Sequence, residues 1–329
     1  MRVATNGRPT RAQRKRALVG CSETGPATRI LARSCEWTLE ACILRRQTGW
    51  ALRVCGLLER DFRTPSEEVY LVLRGCSGRS GARSNPHALN DKRKAIMKLY
   101  VGTSGYSYKE WKGNFYPKDI AAPEMLAHYA TKLPSVEINN TFYRLPRADV
   151  VEAWGEQVPP DFRFAIKASR RITHIRRLKN AIDETDYLIR TVDVLKERLG
   201  VILFQLPPNL PKDVDRLQSF LDLLPLGTKA AFEFRHPSWF DDEVYESLRS
   251  ENYPICTADT EESEGIVITK TADWGYLRLR KPNYRKPQLA KWVKEIRAQK
   301  WREAFVFFKH EDEGAGPKMA AKFIDLSGS

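Results

Sequence analysis

Eight short apolar segments recur along residues 98–309, and each of them closes on a polar side chain. They span 98–103, 135–139, 162–167, 201–205, 230–235, 254–259, 275–280 and 304–309. Runs of this length and composition are typical of strands buried in a parallel sheet. We therefore expect one sheet of eight strands.

Helical patterns fill most of the gaps between these segments. They lie at 123–130, 149–154, 181–199, 214–224, 244–248 and 292–296. Strand–helix alternation favours parallel strands with right-handed crossovers. Eight strands then predict a TIM-type (β/α)8 barrel. The gap after the sixth strand carries Glu261, Glu262, Glu264 and Gly265 and no helical pattern, which predicts one irregular unit.

A doubly wound sheet is the alternative fold. It would need a glycine-rich phosphate turn opening directly into a helix. The only turn of that kind after the first strand, between Gly102 and Gly105, is not followed directly by a helical pattern.

Residues 1–96 differ in composition from residues 97–329. They contain 19 Lys and Arg, 16 of them Arg, against 8 Asp and Glu, so most of the chain's net charge of +14 lies here. They also hold five of the six cysteines, with no Cys-x-x-Cys pair to suggest zinc. We expect two parts, an extension at 1–96 and a single barrel domain at 97–329.

Four interpretations of the extension remain open. Its composition cannot build a core, which favours a poorly ordered or untranslated segment with translation starting at Met97. The acid-free, Arg-rich stretch before Glu23 suggests part of a transit peptide, whereas the apolar run at 17–20 is too short for a secretory signal. An arginine-rich arm could also bind phosphate nonspecifically.

The remaining 233 residues are nearly neutral, with 36 basic and 33 acidic side chains, and Cys256 is their single cysteine. This composition predicts a soluble, cytoplasmic protein without structural disulfides and without a membrane span. The sequence lacks a Gly-x-Ser-x-Gly elbow and a Walker loop, so serine hydrolases and P-loop NTPases are not supported. It does not indicate an oligomeric state.

Several ordered motifs in the barrel region resemble the YecE-like family, domain-of-unknown-function family 72. They include VGTSGYSYKEWKGNFYP at 101–117 and EFRHPSW at 233–239, with further matching stretches at 136–143, 164–167, 172–174, 203–208, 276–279 and 307–311. The resemblance covers about residues 97–329. It implies a TIM-type barrel beginning near Met97, and it implies no established reaction.

The strand ends supply the candidate site, because a barrel carries its working residues at the C-terminal ends of its strands. Side chains alternate between the two faces of a strand. If the apolar face packs against the helices, seven strands direct a charged or amide group at one mouth. The predicted catalytic residues are Glu137, Lys167, Glu233 and Asp259. The predicted substrate-binding residues are Asn139, Gln205, Arg235, Arg278, Lys309, His174 and Tyr106.

These charges could instead form an ion-pair network whose members only neutralise one another and bind no ligand. Seven groups converging on one mouth are hard to explain by stability alone, since buried charges are costly. Glu137, Glu233 and Asp259 could hold Mg²⁺ or Mn²⁺, but Lys167, Arg235 and Arg278 would already neutralise them. We therefore predict no cofactor and keep a divalent metal as the lesser alternative.

Two functions follow. The first is an enzyme that acts by acid–base chemistry on a small anionic substrate, such as a phosphate, carboxylate or nucleotide-like compound, held by the cations of the mouth. Hydrolysis, isomerisation and lyase chemistry all fit. The alternative is a nucleic-acid-binding or processing protein, using the aromatic first loop at 106–116 and the basic stretch at 171–177. The small net charge of residues 97–329 disfavours it.

Overall fold

The computed structural model describes residues 97–262, 265–309 and 312–328, together with two short strands near the N-terminus. These strands, Arg29–Ile30 and Leu71–Val72, pair antiparallel within a unit that spans Met1–Asn90. The predictions made for residues 1–96 otherwise lie outside the described residues. The second unit, Asp91–Ser329, is described by itself.

Eight parallel strands of this unit form one sheet, as the sequence predicts. They are β1 Lys98–Ser104, β2 Ser135–Ile138, β3 Arg163–Lys167, β4 Leu199–Gln205, β5 Ala230–Glu233, β6 Thr257–Asp259, β7 Trp274–Leu279 and β8 Glu303–Phe308. Their order in the sheet is β5-β4-β3-β2-β1-β8-β7-β6. The order is that of a TIM-type barrel opened only between β5 and β6.

Residues 254–256 nearly close this opening. The amide of Phe232 donates to the carbonyl of Pro254 at 3.0 Å, and the amide of Cys256 donates to the carbonyl of Phe232 at 2.7 Å. Proline has no N–H, so Pro254 accepts a hydrogen bond from β5 but donates none. The sixth strand is accordingly shorter than the sequence predicts.

Helices follow the strands on the outside of the sheet. They are α1 Met125–Ala130, α2 Ala148–Glu156, α3 Ile182–Val192, α4 Val214–Leu221, α5 Asp242–Ser250, α6 Lys286–Ala298 and α7 Ala315–Ser327. The described residues between β6 and β7 contain no helix, which confirms the irregular unit. In the part of the chain that is described, no helix has both the length and the apolar character needed to cross a bilayer.

The two faces of the strands pack against two different apolar layers. The larger lies between strands and helices and includes Val136, Phe164 and Leu277. The smaller fills the barrel interior with Ala165, Val201, Leu203, Ala231, Cys256, Ala272, Trp274, Tyr276, Phe305 and Phe307. Alternation therefore sends every second strand residue inward, and the polar strand ends continue the inner face.

Candidate active site

Arg278 is the centre of a buried polar network at the C-terminal end of the barrel. Its Nη2 lies 2.8 Å from Oε1 of Glu137, and its Nη1 lies 2.7 Å from Oε2 of Glu233. The three side chains come from β7, β2 and β5, and none is more than 6% exposed. One guanidinium therefore ties together strands from three parts of the barrel.

Glu137 receives further donors on both carboxylate oxygens. Ser104 Oγ and Asn139 Nδ2 donate to Oε1 at 2.8 and 2.9 Å, and Tyr276 Oη donates to Oε2 at 2.7 Å. Burial acts to raise the pKa of Glu137, but Arg278 and these hydrogen bonds outweigh it and lower the pKa to about 2. The carboxylate is thus ionised and fully engaged, which suits it to anchor Arg278 rather than to accept a proton.

Glu233 connects the network to Lys167 through an amide. Gln205 Nε2 donates to Glu233 Oε1 at 2.7 Å, and Gln205 Oε1 accepts from Lys167 Nζ at 2.8 Å. Burial acts to raise the pKa of Glu233, but Arg278 and Gln205 lower it overall. The three residues end the neighbouring strands β3, β4 and β5. Gln205 pairs in register with Glu233, and Lys167 pairs with Leu203, which lies on the same face of β4 as Gln205.

Lys167 forms no ion pair with a carboxylate of the described residues. No carboxylate oxygen of the described residues lies within 4 Å of its Nζ, which sits instead 4.3 Å from the centre of the Phe142 ring. Burial, followed by the positive charge of Arg278, lowers the pKa of Lys167 to about 8. The amine therefore exchanges its proton close to neutral pH.

Arg280 is a site residue that the sequence analysis did not select. Its Nη1 is buried and has no hydrogen-bond partner among the described residues. Burial and the nearby Arg278 lower its pKa, while Glu137 and Glu233 act in the opposite direction, so the guanidinium lies beside the network. Arg280 follows Arg278 by two positions, and the alternation that selected Arg278 also selects it.

The structure places Asp259 on the other face of its strand, so the sequence-based orientation was wrong. Asp259 pairs in register with Leu279, which belongs to the layer between strands and helices. Its carboxylate accepts from Tyr284 Oη at 2.9 Å and Trp292 Nε1 at 3.3 Å, and it pairs with Lys281 Nζ at 3.0 Å. The strand is only three residues long, and its lateral pairing rather than its own sequence fixes which face turns inward.

Asp259 nevertheless contacts the backbone of the site. Its carbonyl accepts from the amide of Arg280 at 2.7 Å, and its carboxylate binds Lys281 and Tyr284 further along the same loop. The residue thus holds the loop that carries Arg280, without reaching the mouth itself.

The remaining predicted residues lie around the network or outside it. Asn139 contacts Glu137 directly, while Lys309 is half-buried just after β8, with its amide donating to Leu279. Arg235 is exposed beyond β5. His174 lies in the π-helix Arg171–Ile175 that follows β3.

His174 shares an aromatic neighbour with Lys167. Its ring lies 4.8 Å from the Phe142 ring and its Nδ1 is 2.9 Å from Thr173 Oγ1. Burial, then Lys167 and Arg235, lowers the pKa of His174. The charged form of the imidazole is therefore disfavoured at the rim beside Lys167.

In the first loop, Tyr108 rather than Tyr106 borders the network. The Tyr106 ring packs against Tyr129 in the outer apolar layer, with centroids 6.3 Å apart. Tyr108 Oη donates to the carbonyl of Ser104 at 2.8 Å, and burial, then the charge of Glu137, raises its pKa to about 12. Gly105, with φ of +98°, directs the chain into this turn, and a Cβ there would lie 2.3 Å from Tyr108 Oη.

The three carboxylates considered as ligands for Mg²⁺ or Mn²⁺ do not form one group. Asp259 faces the helices, and Glu137 and Glu233 share Arg278. Within the described ranges, no cluster of three His, Cys, Asp or Glu side chains is placed to hold a metal ion.

Comparison with known proteins matches the barrel region to one family. The model of the family described as "Protein of unknown function DUF72" matches residues 100–329. The UPF0759 protein YecE of Escherichia coli K12 is 32% identical over 143 residues, which cover 43% of this chain and 50% of YecE. The chain thus spans half the length of that relative. The UPF0759 protein YunF of Bacillus subtilis 168 is 24% identical over 230 residues, 65% of this chain and 79% of YunF.

Solved structures agree on the fold. A DUF72 family protein from Thermotoga maritima MSB8 aligns with a TM-score of 0.62 and 25% identity, over 70% of this chain and all of that one. A DUF72 family protein from Enterococcus faecalis V583 aligns with a TM-score of 0.59 and 17% identity, over 70% and 96% of the two chains. Nothing in these descriptions favours the alternative of a nucleic-acid-binding protein.

Proposed function

The chain belongs to the DUF72 family of proteins of unknown function, and we propose that it is an enzyme that binds a small anionic substrate at the C-terminal mouth of its barrel. The substrate class is a compound that carries a phosphate or carboxylate group, nucleotide-like compounds included. The single observation that carries this proposal is the buried Nη1 of Arg280, which has no partner among the described residues. A buried donor left unpaired costs about 1–3 kcal/mol, and an anionic ligand would satisfy it.

The charge balance of the network supports the same conclusion. Glu137 and Glu233 are both bound by Arg278, which leaves the charges of Lys167 and Arg280 without a carboxylate within 4 Å in the described part of the chain. Removing charges from water is expensive unless they are paired. A substrate anion between Lys167 and Arg280 would provide the missing counter-charge.

Acid–base chemistry can be carried by the same residues. Lys167, with a pKa of about 8, can give or take a proton near neutral pH, as an efficient general acid or base requires. Gln205 holds its Nζ in place, and Glu233 in turn holds Gln205. The contacts are compatible with a hydrolase, an isomerase or a lyase.

Calorimetric titration of the full chain with inorganic phosphate, pyrophosphate and citrate tests this proposal. R280M should weaken binding of the best of these anions at least tenfold, because it removes the guanidinium whose Nη1 has no partner among the described residues. Arg190 offers a matched control, since it is exposed on α3 and paired with Asp186, and R190M should bind as the wild type does.

The comparison of R280M with R190M also distinguishes binding at the barrel mouth from binding by the arginines of residues 1–96, which could bind phosphate by themselves. Binding that R280M and R190M weaken equally, or that neither weakens, would contradict an anion site at the barrel mouth.

A further inference from the structure

We propose that Lys167 is a nucleophile that forms an imine with the carbonyl carbon of an anionic aldehyde or ketone. This inference rests on the proposed function, because it names the substrate class of the same site. It adds a covalent step to the acid–base chemistry and assigns that step to one atom, Lys167 Nζ.

The surroundings of Nζ are unusual for a lysine of this protein. Other half-buried lysines, such as Lys212 and Lys281, form ion pairs with carboxylates at 3.0–3.1 Å. Nζ of Lys167 contacts the neutral carbonyl oxygen of Gln205 at 2.8 Å and the face of Phe142 at 4.3 Å. These neutral contacts stabilise an ammonium less than a direct ion pair would, so desolvation leaves a larger share of the amine free to react.

The position of Lys167 in the fold suits a reaction with a bound ligand. It is the last residue of β3, on the inner face that continues Ala165, and the carboxyl ends of barrel strands are where catalytic residues lie. Its backbone carbonyl accepts from Thr141 Oγ1 at 2.7 Å, which ties the strand end to the neighbouring loop. The side chain therefore starts from a fixed point at the mouth.

The electrostatics favour a free amine. Burial and Arg278 lower the pKa of Lys167 to about 8, so roughly a tenth of the molecules carry a neutral amine at pH 7. An exposed lysine of ordinary pKa has only about one neutral amine in a thousand or fewer. Nucleophilic lysines are activated in this way, by desolvation and by a cationic neighbour.

The nearby cation defines the rest of the substrate. Arg280 follows Arg278 by two positions and so continues the face of β7 that carries Arg278, and its buried Nη1 has no partner among the described residues. A guanidinium binds a phosphate or carboxylate through paired hydrogen bonds. The substrate would therefore carry the anion and the carbonyl in one small molecule, as α-keto acids and keto phosphates do.

The reaction balances without an external oxidant or reductant. The lone pair of neutral Nζ forms a bond to the carbonyl carbon, and a proton moves from nitrogen to the former carbonyl oxygen. The C–O bond of this carbinolamine then breaks, the departing hydroxyl takes the remaining N–H proton and leaves as water, and the C=N bond of a neutral imine remains. Protonation of that nitrogen restores the positive charge that Glu137 and Glu233 stabilise at Lys167.

Reductive trapping tests the inference on the full chain. The protein is incubated at pH 7.5 with pyruvate or with dihydroxyacetone phosphate and sodium cyanoborohydride, then digested and mapped by mass spectrometry. We expect the adduct at Lys167 to form at least tenfold faster than at Lys212. R280M should slow labelling of Lys167 at least fivefold, whereas R190M should leave it unchanged.

Acetone, a neutral ketone, is the control for the carbonyl alone. Arg280 also lowers the pKa of Lys167, so R280M should slow the reaction with acetone, but less than it slows the reactions with the two anionic probes. K167R keeps the positive charge and should still bind phosphate while it loses the adduct. If phosphate binds through Arg280 but Lys167 reacts with both probes no faster than Lys212, the imine is wrong and the proposed anion site stands. If R280M changes neither phosphate binding nor labelling, both proposals fail.

Discussion

The guanidinium of Arg278 donates to the carboxylate of Glu137 at 2.8 Å, with side-chain exposures of 3% and 0%. The pair joins β7 to β2 across the barrel interior, and Glu233 on β5 completes the contact from the other side. Among the ion pairs of the described residues, only that of Arg278 with Glu233 is similarly buried. The stability of the barrel and the availability of the other cations both depend on this arrangement.

Replacing Arg278 should destabilise the protein strongly. R278M leaves Glu137 and Glu233 buried without their shared counter-charge, which we expect to lower the free energy of unfolding by about 3–5 kcal/mol. Urea denaturation followed by circular dichroism measures this free energy of unfolding. R302M, which removes an exposed partner of Asp273, should cause little change. A loss in R278M no larger than in R302M would show that the network contributes nothing to folding.

The two glutamates should differ in their effect on stability. Glu137 accepts four hydrogen bonds, whereas Glu233 accepts one each from Gln205 and Arg278 and a weak one from Cys256 Sγ at 4.0 Å, so E137Q disturbs more contacts than E233Q. In E233Q, Arg278 keeps Glu137 as counter-charge. We expect E137Q to lose about 3 kcal/mol or more and E233Q about 1–2 kcal/mol, from the usual cost of unpaired buried groups.

Thermal and urea denaturation of the two variants at pH 7 measure this difference. E233Q also probes the site, because Glu233 holds Gln205 and through it Lys167. A large stability loss in E233Q with phosphate binding intact would show that Glu233 stabilises the fold and does not contribute to phosphate binding.

Acid should remove the contribution of Glu137. Its pKa is lowered to about 2 from an ordinary value of 4.5, so the folded state binds this proton less readily than the unfolded chain does. Its contribution to stability is therefore complete above pH 4.5 and is lost as the pH falls towards 2. Urea denaturation between pH 5 and 2 should show a steeper fall for the wild type than for E137Q. Parallel curves would contradict the assignment.

Lys167 should be destabilising in the folded protein. Its pKa is lowered from 10.5 to about 8, so protonating it in the folded state costs free energy below pH 8, and stability rises between pH 8 and 10.5. The pKa shift sets an upper bound of about 3 kcal/mol on the free energy of unfolding that K167M would gain at pH 7. The loss of the Lys167–Gln205 hydrogen bond reduces this gain.

Two measurements check this prediction. K167M should unfold at a higher temperature than the wild type at pH 7, and the difference should shrink by pH 10. Trace acetylation of the full chain, mapped by mass spectrometry, should give a midpoint near pH 8 for Lys167, with Glu137, Glu233, Arg278 and Arg280 as the charged groups that set it. A midpoint above pH 10 would rule out the activated amine.

Asp259 should affect anion binding through the loop that carries Arg280. D259N removes the charge that pairs with Lys281 and should cost about 1–3 kcal/mol of stability, as lost charged hydrogen bonds do. It should also weaken phosphate binding severalfold, because the backbone of Arg280 is held by the same residue. In a double-mutant cycle, D259N and K281M should be non-additive. Additive stability losses with unchanged phosphate binding would leave Asp259 without a positioning role.

The periodicity of the sequence predicted the barrel because each strand is an apolar run whose length and composition are local properties. The orientation of Glu137, Lys167, Gln205, Glu233 and Arg278 was predicted equally well. In the strands of Glu137, Lys167, Glu233 and Arg278, polar and apolar positions alternate long enough to mark one face, whereas the strand of Gln205 is apolar up to its last residue. The orientation of Asp259 was predicted wrongly, because the strand Thr257–Asp259 is too short for an alternation to show which side turns inward.

The sequence by itself determined the alternation of strands and helices, and hence which strand ends meet at one mouth. The tertiary structure alone decided how the charges are shared there. Arg278 and Arg280 are chemically equivalent and two residues apart, yet only Arg278 lies between Glu137 and Glu233. Pairing of this kind depends on distances between strands far apart in the chain. It leaves Arg280 and Lys167 without a carboxylate within 4 Å among the described residues, which no local pattern of residues encodes.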